Sequence, residues 1–290
     1  MEIQADRSEL PADGSVLKTV KLADLITRYR KEMTPKKRGG KIEDAVLARM
    51  LLDPICKLPL SVLRPADFAR YRDRRLACVA PTTLKRQLNP VQHMFEIAKR
   101  DWAIPIKENP IKALRFSAKL RMRTRRLNPG ELNKIMKAAR SCRRSEIVQI
   151  IQLALATGMR RGEIARMQWK DLDTKRRLLT IPVTKNGHAR TIPLSNDAIK
   201  ALPKRCSIDG RVFSKTGNAI HLAWDRITER AGISDLRFHD LRHEAISRFF
   251  ELGLTIPEVA TISGHRDATM LLRYAHASSK AVFKKLNQAA

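Results

Sequence analysis

The stretch from Leu236 to His276 reads LRFHDLRHEAISRFFELGLTIPEVATISGHRDATMLLRYAH, and the second half of the chain is organised around it. It carries His239 and Arg242 three residues apart on one candidate helix, His265 in a Ser-Gly-His turn, and Tyr274 near the end of a further short helix. Each residue alone has an ordinary structural explanation, because polar-tipped side chains commonly lie at intermediate burial. Their order and spacing become informative when they are combined with earlier segments of the chain.

One earlier segment is ATGMRRGEIARMQW, residues 156–169, which follows an apolar helix. Here Arg160 follows the Thr157-Gly158 turn with one residue between, and Glu163 lies one helical turn later. A guanidinium group is planar and always charged, so it can hold a phosphate by two parallel hydrogen bonds. Glu163 can pair with Arg160 and orient it, although a surface ion pair of this spacing is also ordinary.

Another earlier segment predicts a β-hairpin. Residues 177–183 and 189–194 form two candidate strands around TKNGH, and Asn186-Gly187 supplies the positive φ angles of a tight turn. Lys185 is therefore displayed at the tip of the hairpin.

In chain order the polar set is Arg160, Lys185, His239, Arg242, His265 and Tyr274. This set resembles the tyrosine site-specific recombinases, the phage integrase family, whose pattern is an Arg after Thr-Gly-x, a hairpin Lys, His-x-x-Arg, Gly-His and a Tyr. The resemblance covers most of residues 127–290. Ser263 stands where Leu commonly precedes Gly-His, and Glu244 stands where Thr is frequent; neither is a catalytic position of the pattern.

The resemblance implies phosphoryl transfer from DNA to Tyr274, which would yield a 3′-phosphotyrosine and a free 5′ hydroxyl. The two arginines of the set would clamp the non-bridging oxygens of the scissile phosphate, and His265 would donate a further hydrogen bond. His239 is the candidate general base and Lys185 the candidate general acid. No cofactor and no metal are expected: the sequence has neither a Walker loop nor a compact acidic cluster.

Composition points to the same class of partner. The chain has 290 residues, a net charge of +29 and a pI near 10.8, and nucleic acid is the commonest partner of so basic a protein. Residues 1–126 contain 29 basic and 14 acidic side chains, so both halves of the chain are strongly positive. This distribution suits two lobes that both touch a phosphate backbone.

The predicted fold class is mainly α with a small antiparallel β-sheet. We expect a flexible tail over residues 1–17, a helical core-binding domain over 18–112, a basic linker over 113–126 and a catalytic domain over 127–290. In the N-terminal domain, Pro90 is expected to disturb the helix that begins at Pro81. The candidate DNA-binding residues are Lys36, Lys37, Arg38, Lys119, Arg121, Arg123, Arg125 and Arg126.

Further expectations concern the environment and the partners. No apolar run approaches the roughly 20 residues of a membrane span, and the first residues lack a basic leader with an apolar core, so a cytoplasmic protein without a membrane partner is predicted. The four cysteines are widely spaced and are interpreted as reduced thiols. The resemblance implies double-stranded DNA target sites, a homotetramer that exchanges strands through a Holliday junction, and a C-terminal helix docked in cis or in trans. It leaves an accessory directionality factor open.

Two alternatives fit part of the pattern. The first is a non-catalytic helix-turn-helix regulator, because residues 254–275 have the apolar spacing and central Gly of that motif. It leaves Arg160 and Lys185 without a purpose. The second is a relaxing enzyme of the type IB topoisomerase kind, which shares the tyrosine chemistry but acts on one strand without choosing a sequence.

Overall fold

The computed structural model describes residues 15–116, 123, 125–142, 146–182, 189–204, 210–275 and 287. The chain divides into two compact units, Met1–Met122 and Arg123–Ala290. The boundary between them falls inside the stretch 113–126 that the sequence predicts as a linker.

Unit 1 is helical across its described residues. Its α-helices are α1 (Ser15–Thr19), α2 (Leu22–Glu32), α3 (Gly40–Met50), α4 (Pro65–Leu76) and α5 (Pro81–Arg100), with 3-10 helices at Thr34–Lys36 and Pro54–Lys57. Helix α1 lies partly within the tail predicted for residues 1–17. Its Leu17 packs against the core of the unit and accepts a backbone hydrogen bond from Ser61, which explains the order there.

The helices of unit 1 form because their apolar residues repeat with the helical period. In α2, Leu22, Leu25, Ile26 and Tyr29 are all buried, so one stripe of the helix faces the core. Helix α5 continues through Pro90, contrary to the predicted disturbance. A Pro in a helix interior costs about 3 kcal/mol, and the buried side chains on both sides of Pro90 hold the helix together across it.

Unit 2 combines short helices with one small sheet. Its α-helices are α6 (Glu131–Arg140), α7 (Glu146–Thr157), α8 (Arg161–Ala165), α9 (Asn196–Lys200), α10 (Gly217–Arg230), α11 (Asp240–Glu251), α12 (Ile256–Ser263) and α13 (Thr269–Leu272). Helix α7 is the apolar segment IVQIIQLALA, and its Ile147, Ile150, Ile151 and Leu153 lie at the centre of the core. None of the described helices is long and apolar enough to cross a membrane.

The sheet has three antiparallel strands, β1 (Leu172–Asp173), β2 (Leu178–Ile181) and β3 (Arg190–Pro193). Strands β2 and β3 pair with Leu179 opposite Ile192, both buried, and Thr180 opposite Thr191, both exposed. They are the two strands that the sequence predicts around its hairpin. The turn residues 183–188 lie outside the described part of the chain. Strand β1 has only two residues, too few for a periodicity to show in the sequence.

Helix α11 is the element that assembles the polar residues. It packs along α7 and against α12, and its inward face carries Leu241, Arg242, Ala245 and Ile246. Helix α12 ends at Gly264, whose φ of +70° is a left-handed conformation suited to glycine. The chain then turns back through His265 into α13.

Candidate active site

Arg160 is placed by the turn between α7 and α8. Helix α7 ends at Thr157, and Gly158 reverses the chain with a φ of +61°, close to Ala245 and Phe249 on α11. Arg160 is then the extended residue that caps α8, and Glu163 accepts a hydrogen bond from its backbone N–H at 3.0 Å. The local sequence therefore fixes the backbone conformation of Arg160 through the turn at Gly158 and the cap of α8.

Glu163 is a buried carboxylate shared by two arginines. Arg160 donates from Nη1 at 2.9 Å, and Arg190 donates from both Nη atoms at 3.1 and 2.8 Å. Burial alone would raise the pKa of Glu163, but the hydrogen bonds from Arg190 and Arg160 outweigh it and lower the pKa to about 2. The carboxylate is therefore charged at every physiological pH, and it holds both guanidinium groups in place.

Arg190 is a site residue that the sequence interpretation did not single out. It lies on β3, and its Nε donates to the backbone carbonyl of Ile262 at 3.1 Å. Gly264 is in close contact with it, since a Cβ at Gly264 would lie 3.0 Å from the guanidinium. A sequence signal was available: two-residue alternation puts Arg190 on the same face as buried Ile192, and a cation facing inward requires a carboxylate.

Arg242 joins two loops from the inside of the protein. Its residue exposure is 3%, and its Nη1 and Nη2 donate to the carbonyl oxygens of Gly158 at 2.6 Å and Ser263 at 2.7 Å. Burial and the nearby Arg160 lower its pKa to about 9, which leaves the group cationic at neutral pH. Because a guanidinium has five N–H donors, these two contacts leave donors available for a ligand.

Two histidines lie close together at the start of α11, four residues apart in the sequence. His239 immediately precedes the helix and keeps an exposed edge, whereas His243 is half-buried. Their rings meet edge to face with centroids 5.1 Å apart. Desolvation, followed by neighbouring positive groups that include Arg242, lowers the pKa of His239. Desolvation also lowers the pKa of His243, so both rings are neutral at pH 7.

His265 is held by the residue two positions before it. Ser263 is fully buried, and its Oγ lies 2.8 Å from Nδ1 of His265. Desolvation, and then the charges of Arg242 and Arg160, lower the pKa of His265 to about 4. The sequence marked Ser263 only as a departure from the family pattern; its contact with the imidazole depends on the turn at Gly264.

Tyr274 follows α13 and lies in the same cluster. It is 9% exposed, and its ring packs with Ala245, Ile246 and Leu271. Burial raises its pKa, while the positive charges of Arg273 and Arg242 act in the opposite direction. Its hydroxyl is hydrogen-bonded to Nδ1 of His243, and the two rings stack with centroids 5.7 Å apart.

Five of the six residues in the predicted set thus meet in one positive site. The charges of Arg160 and Arg242 act on both His239 and His265, and that of Arg242 acts on Tyr274 as well. The sixth, Lys185, lies outside the described residues. Among those that are described, no group of His, Cys, Asp and Glu could hold a metal ion. The geometry suits an anion with several oxygens beside a tyrosine hydroxyl.

Three described basic residues of the predicted linker, Arg123, Arg125 and Arg126, have carboxylate partners within unit 2. Arg123 donates to Asp240 from Nε and Nη2, at 2.8 and 2.7 Å, and to Asp235 from Nη1 at 2.8 Å. Arg125 pairs with Glu131 at 2.6 Å. The cations of this segment therefore do not all face DNA. Arg123 fastens the start of unit 2 to the start of α11, and Arg125 fastens it to the start of α6.

Arg126 extends the same arrangement along α11. It pairs with Glu244 at 3.0 Å and with Glu251. Glu244 was noted in the sequence only as a departure from a frequent Thr, and here it is the buried partner of Arg126 and Arg248. The two remaining linker candidates, Lys119 and Arg121, lie outside the described residues, and DNA contact by the linker stays a prediction.

The three candidates in unit 1 differ from one another. Lys36 and Arg38 are exposed. Lys37 is half-buried, pairs with Glu43 at 2.8 Å and donates to the hydroxyl of Tyr29, which in turn contacts His93. Its ammonium group is therefore engaged inside unit 1 in this structure, which leaves Lys36 as the more accessible lysine for a phosphate.

Comparison with known proteins identifies relatives over nearly the whole chain. Residues 125–281 match the Phage integrase family. A shufflon-specific DNA recombinase of Escherichia coli is 35% identical over 286 residues, which cover 93% of this chain and 73% of that protein. A putative integrase/recombinase of Haemophilus influenzae is 32% identical over 272 residues, which cover 87% of this chain and 71% of that protein.

Solved structures share the fold at lower sequence identity. The Tn1549 transposon integrase, in complex with circular intermediate DNA, superposes with a TM-score of 0.74 at 19% identity, over 92% of this chain and 99% of that chain. A lambda integrase tetramer bound to a Holliday junction gives a TM-score of 0.72 at 22% identity, over 88% of this chain and 77% of that chain. The mainly helical architecture with its small antiparallel sheet is thus confirmed.

Proposed function

We propose a residue-level mechanism for this chain, which belongs to the phage integrase family and is a site-specific tyrosine recombinase, an enzyme that breaks and rejoins DNA. Tyr274 is the nucleophile. The observation that carries this assignment is its hydroxyl, which hydrogen-bonds to a half-buried histidine and feels the positive charges of Arg273 and the buried Arg242. A phenol is a weak nucleophile at neutral pH, so the site must position it and stabilise the charge that develops on the phosphate.

In the cleavage step, Oη of Tyr274 attacks the scissile phosphorus, and the bond from phosphorus to the 5′ oxygen breaks. The phenol proton passes to a base of the site, and the departing 5′ oxygen takes up a proton. Lys185 is the proposed donor of that proton. The products are a 3′-phosphotyrosine and a free 5′ hydroxyl, and because the new link is itself a phosphodiester, the reverse reaction rejoins DNA without nucleotide.

The phosphate is held by the cations of the cluster. Arg160 and Arg242 bind the non-bridging oxygens, and His265 donates a further hydrogen bond. Glu163 acts through Arg160, which it orients. His239, neutral and open on one edge, lies beside the same phosphate as a hydrogen-bond donor or a base. Loss of one such preorganised donor typically costs about 10²–10³ in rate.

The partners follow from this activity. We propose that the chain acts on double-stranded DNA target sites as a homotetramer that passes through a Holliday junction, and the lambda integrase tetramer supports this by its likeness of fold. Lys36 and Arg38 are proposed phosphate contacts of unit 1. An accessory directionality factor would bias the direction of exchange without entering the chemistry, and the site of action would be the cytoplasm, where the DNA lies.

A suicide-substrate assay tests the proposal. Wild-type, Tyr274→Phe and Tyr71→Phe proteins are incubated in chelator with nicked duplexes tiled across the DNA that flanks the gene, and the products are separated on denaturing gels. We expect a covalent adduct with wild type and Tyr71→Phe and none with Tyr274→Phe, while all three bind DNA equally. Tight binding without an adduct from wild type would favour the regulator. Relaxation of plasmids that lack any target would favour the topoisomerase.

A further inference from the structure

The hydroxyl of Tyr274 contacts a histidine that the family pattern does not use. His243 lies one helical turn after His239 on α11, and its Nδ1 is hydrogen-bonded to the Tyr274 hydroxyl. The same two rings stack with an interplanar angle of 26°. The stacking holds the imidazole beside the phenol, and the hydrogen bond puts one ring nitrogen on the oxygen that must lose a proton.

His239 has a different environment. Its ring and that of His243 are nearly perpendicular, with an interplanar angle of 86°, and none of the hydrogen bonds described for the chain joins His239 to Tyr274. It also keeps an exposed edge, whereas His243 is half-buried. A general base must lie within hydrogen-bond reach of the proton that it removes. On that criterion His243 is the better placed of the two.

The surroundings of His243 favour its neutral form, in which a ring nitrogen can accept a proton. Desolvation is the largest influence and lowers its pKa; Asp240 acts in the opposite direction, and Arg273, Arg242 and Arg123 act with desolvation. The carboxylate of Asp240 accepts hydrogen bonds from both Nε and Nη2 of Arg123. Because Asp240 is already paired with a cation, it does not hold the His243 imidazole in its charged form. His243 is thus a neutral imidazole beside a buried phenol.

We propose that His243 is the catalytic base that takes the proton of Tyr274 during cleavage and returns it during ligation. The inference rests on the proposed function, in which Tyr274 is the nucleophile. As the bond between Oη and phosphorus forms, the phenol proton moves to Nδ1, and the 5′ oxygen leaves with a proton from the general acid. In ligation, the 5′ hydroxyl attacks the phosphotyrosine and returns its proton to the group that served as the general acid, and the imidazolium protonates the departing Oη. His239 then serves the phosphate oxygens.

The competing explanation is a resting contact. In that case His243 holds Tyr274 in a stacked position that the tyrosine must leave before it attacks DNA. The two explanations predict opposite effects of removing the imidazole: loss of a base slows cleavage, whereas loss of a latch leaves it unchanged or accelerates it.

The test compares His243→Asn with wild type in single-turnover cleavage of a nicked suicide substrate. Asn keeps a polar atom near the position of Nδ1 but cannot take up a proton. We expect a loss of about 10²–10⁴ in cleavage rate at neutral pH with unchanged DNA binding. The variant should regain rate as the pH rises toward the pKa of the phenol. His221→Asn, at an exposed position of α10, is the matched control and should cleave like wild type.

A fluorinated tyrosine at position 274 separates proton transfer from packing. The phenol of a fluorinated tyrosine is more acidic, so its attack depends less on a general base. The fluorinated residue should therefore restore a large part of the cleavage rate lost in His243→Asn. Failure of this rescue, together with the same loss at every pH, would assign His243 a packing role and overturn the proposal. A His243→Asn protein that cleaves at the wild-type rate or faster would favour the latch.

A measurement on wild-type His243 covers the case in which the variant does not fold. In protein labelled with ¹⁵N-histidine, one imidazole Nδ1 resonance should shift on Tyr274→Phe, because the phenol hydrogen bond is lost. No shift would overturn the contact on which the inference depends. The adduct assay distinguishes failure of the proposed function from failure of the role of His243. Absence of an adduct at Tyr274 in wild type would overturn the proposed function. A normal adduct with normal kinetics in His243→Asn would overturn only the role of His243.

Discussion

Glu163→Gln removes one negative charge from the interior of unit 2 and almost no volume. The carboxylate accepts from Arg160 and Arg190, and its side chain is only 2% exposed. Holding the pKa of Glu163 at about 2 rather than at its ordinary 4.5 corresponds to about 3 kcal/mol of stability at neutral pH, at roughly 1.4 kcal/mol per pH unit. Loss of one partner of a buried ion pair typically costs about 3–5 kcal/mol, which agrees with this figure.

The pH dependence of this effect has a definite sign. The folded-state pKa lies below the unfolded value, so the stabilisation is complete above about pH 4.5 and is lost as the pH falls toward about 2. The gap in unfolding free energy between wild type and Glu163→Gln should therefore narrow by about 2 kcal/mol between pH 7 and pH 3. Gln lacks the ionisation, so the variant does not share this dependence.

Hydrogen exchange measured peptide by peptide in increasing denaturant reports the unfolding of unit 2 separately from unit 1. Glu229→Gln, at an exposed position of α10, is the matched control and should leave the unfolding free energy within about 0.5 kcal/mol of wild type. A gap below about 1 kcal/mol at neutral pH, or a gap of equal size at both pH values, would refute the reasoning that Glu163 is held ionised by the two arginines.

Three further substitutions test other contacts. Ser263→Ala removes the hydrogen bond to His265 and should slow single-turnover cleavage about fivefold, the equivalent of about 1 kcal/mol, with DNA binding unchanged. Ser263→Thr keeps a hydroxyl and should retain the wild-type rate. Equal rates for wild type and both variants would mean that the hydroxyl has no role in cleavage. Arg190→Lys keeps the charge but loses the fork that grips Glu163 and Ile262, and should lower the unfolding free energy of unit 2 by about 2 kcal/mol in the same exchange experiment. Arg123→Gln should destabilise unit 2, because Arg123 is paired with Asp240. It should not change the slope of the logarithm of DNA affinity against the logarithm of salt concentration. A slope smaller by about one would instead identify Arg123 as a phosphate contact.

The elements that could be predicted are those specified by local sequence. Helix α7 is recognisable because its apolar run is too long for a strand and too short for a membrane. Strands β2 and β3 are recognisable because Asn186-Gly187 demands a tight turn between them. Arg160 and Glu163 lie within one turn of each other, so their contact follows from helical geometry alone.

The contacts that could not be predicted join distant segments. Arg123 and Asp240 are 117 residues apart, and Arg190 and Glu163 are 27 apart. A long cationic side chain can reach several carboxylates, and only the packed tertiary structure decides which one it meets. The continuity of α5 through Pro90 is a similar case, because burial on both sides of the proline overrides its local preference.

The same limit applies to the choice between histidines. His239 and His243 lie four residues apart on one face of a helix, so spacing ranks them equally. The position of Tyr274 decides between them, and that position depends on the turn at Gly264 and on the packing of α13 against α12. The contact of Ser263 with His265 depends on the same turn.

Arg242 makes its described hydrogen bonds with backbone carbonyls, and Glu163, whose charge acts on it, is already shared by Arg160 and Arg190. Three guanidinium groups thus depend on the charge of one carboxylate, which leaves this part of unit 2 with a surplus of positive charge that a DNA phosphate would balance. If the proposed site holds a DNA phosphate, folding and substrate binding are thermodynamically linked, because the phosphate would relieve the repulsion among these guanidinium groups. The protein should be most resistant to unfolding when it is engaged with DNA.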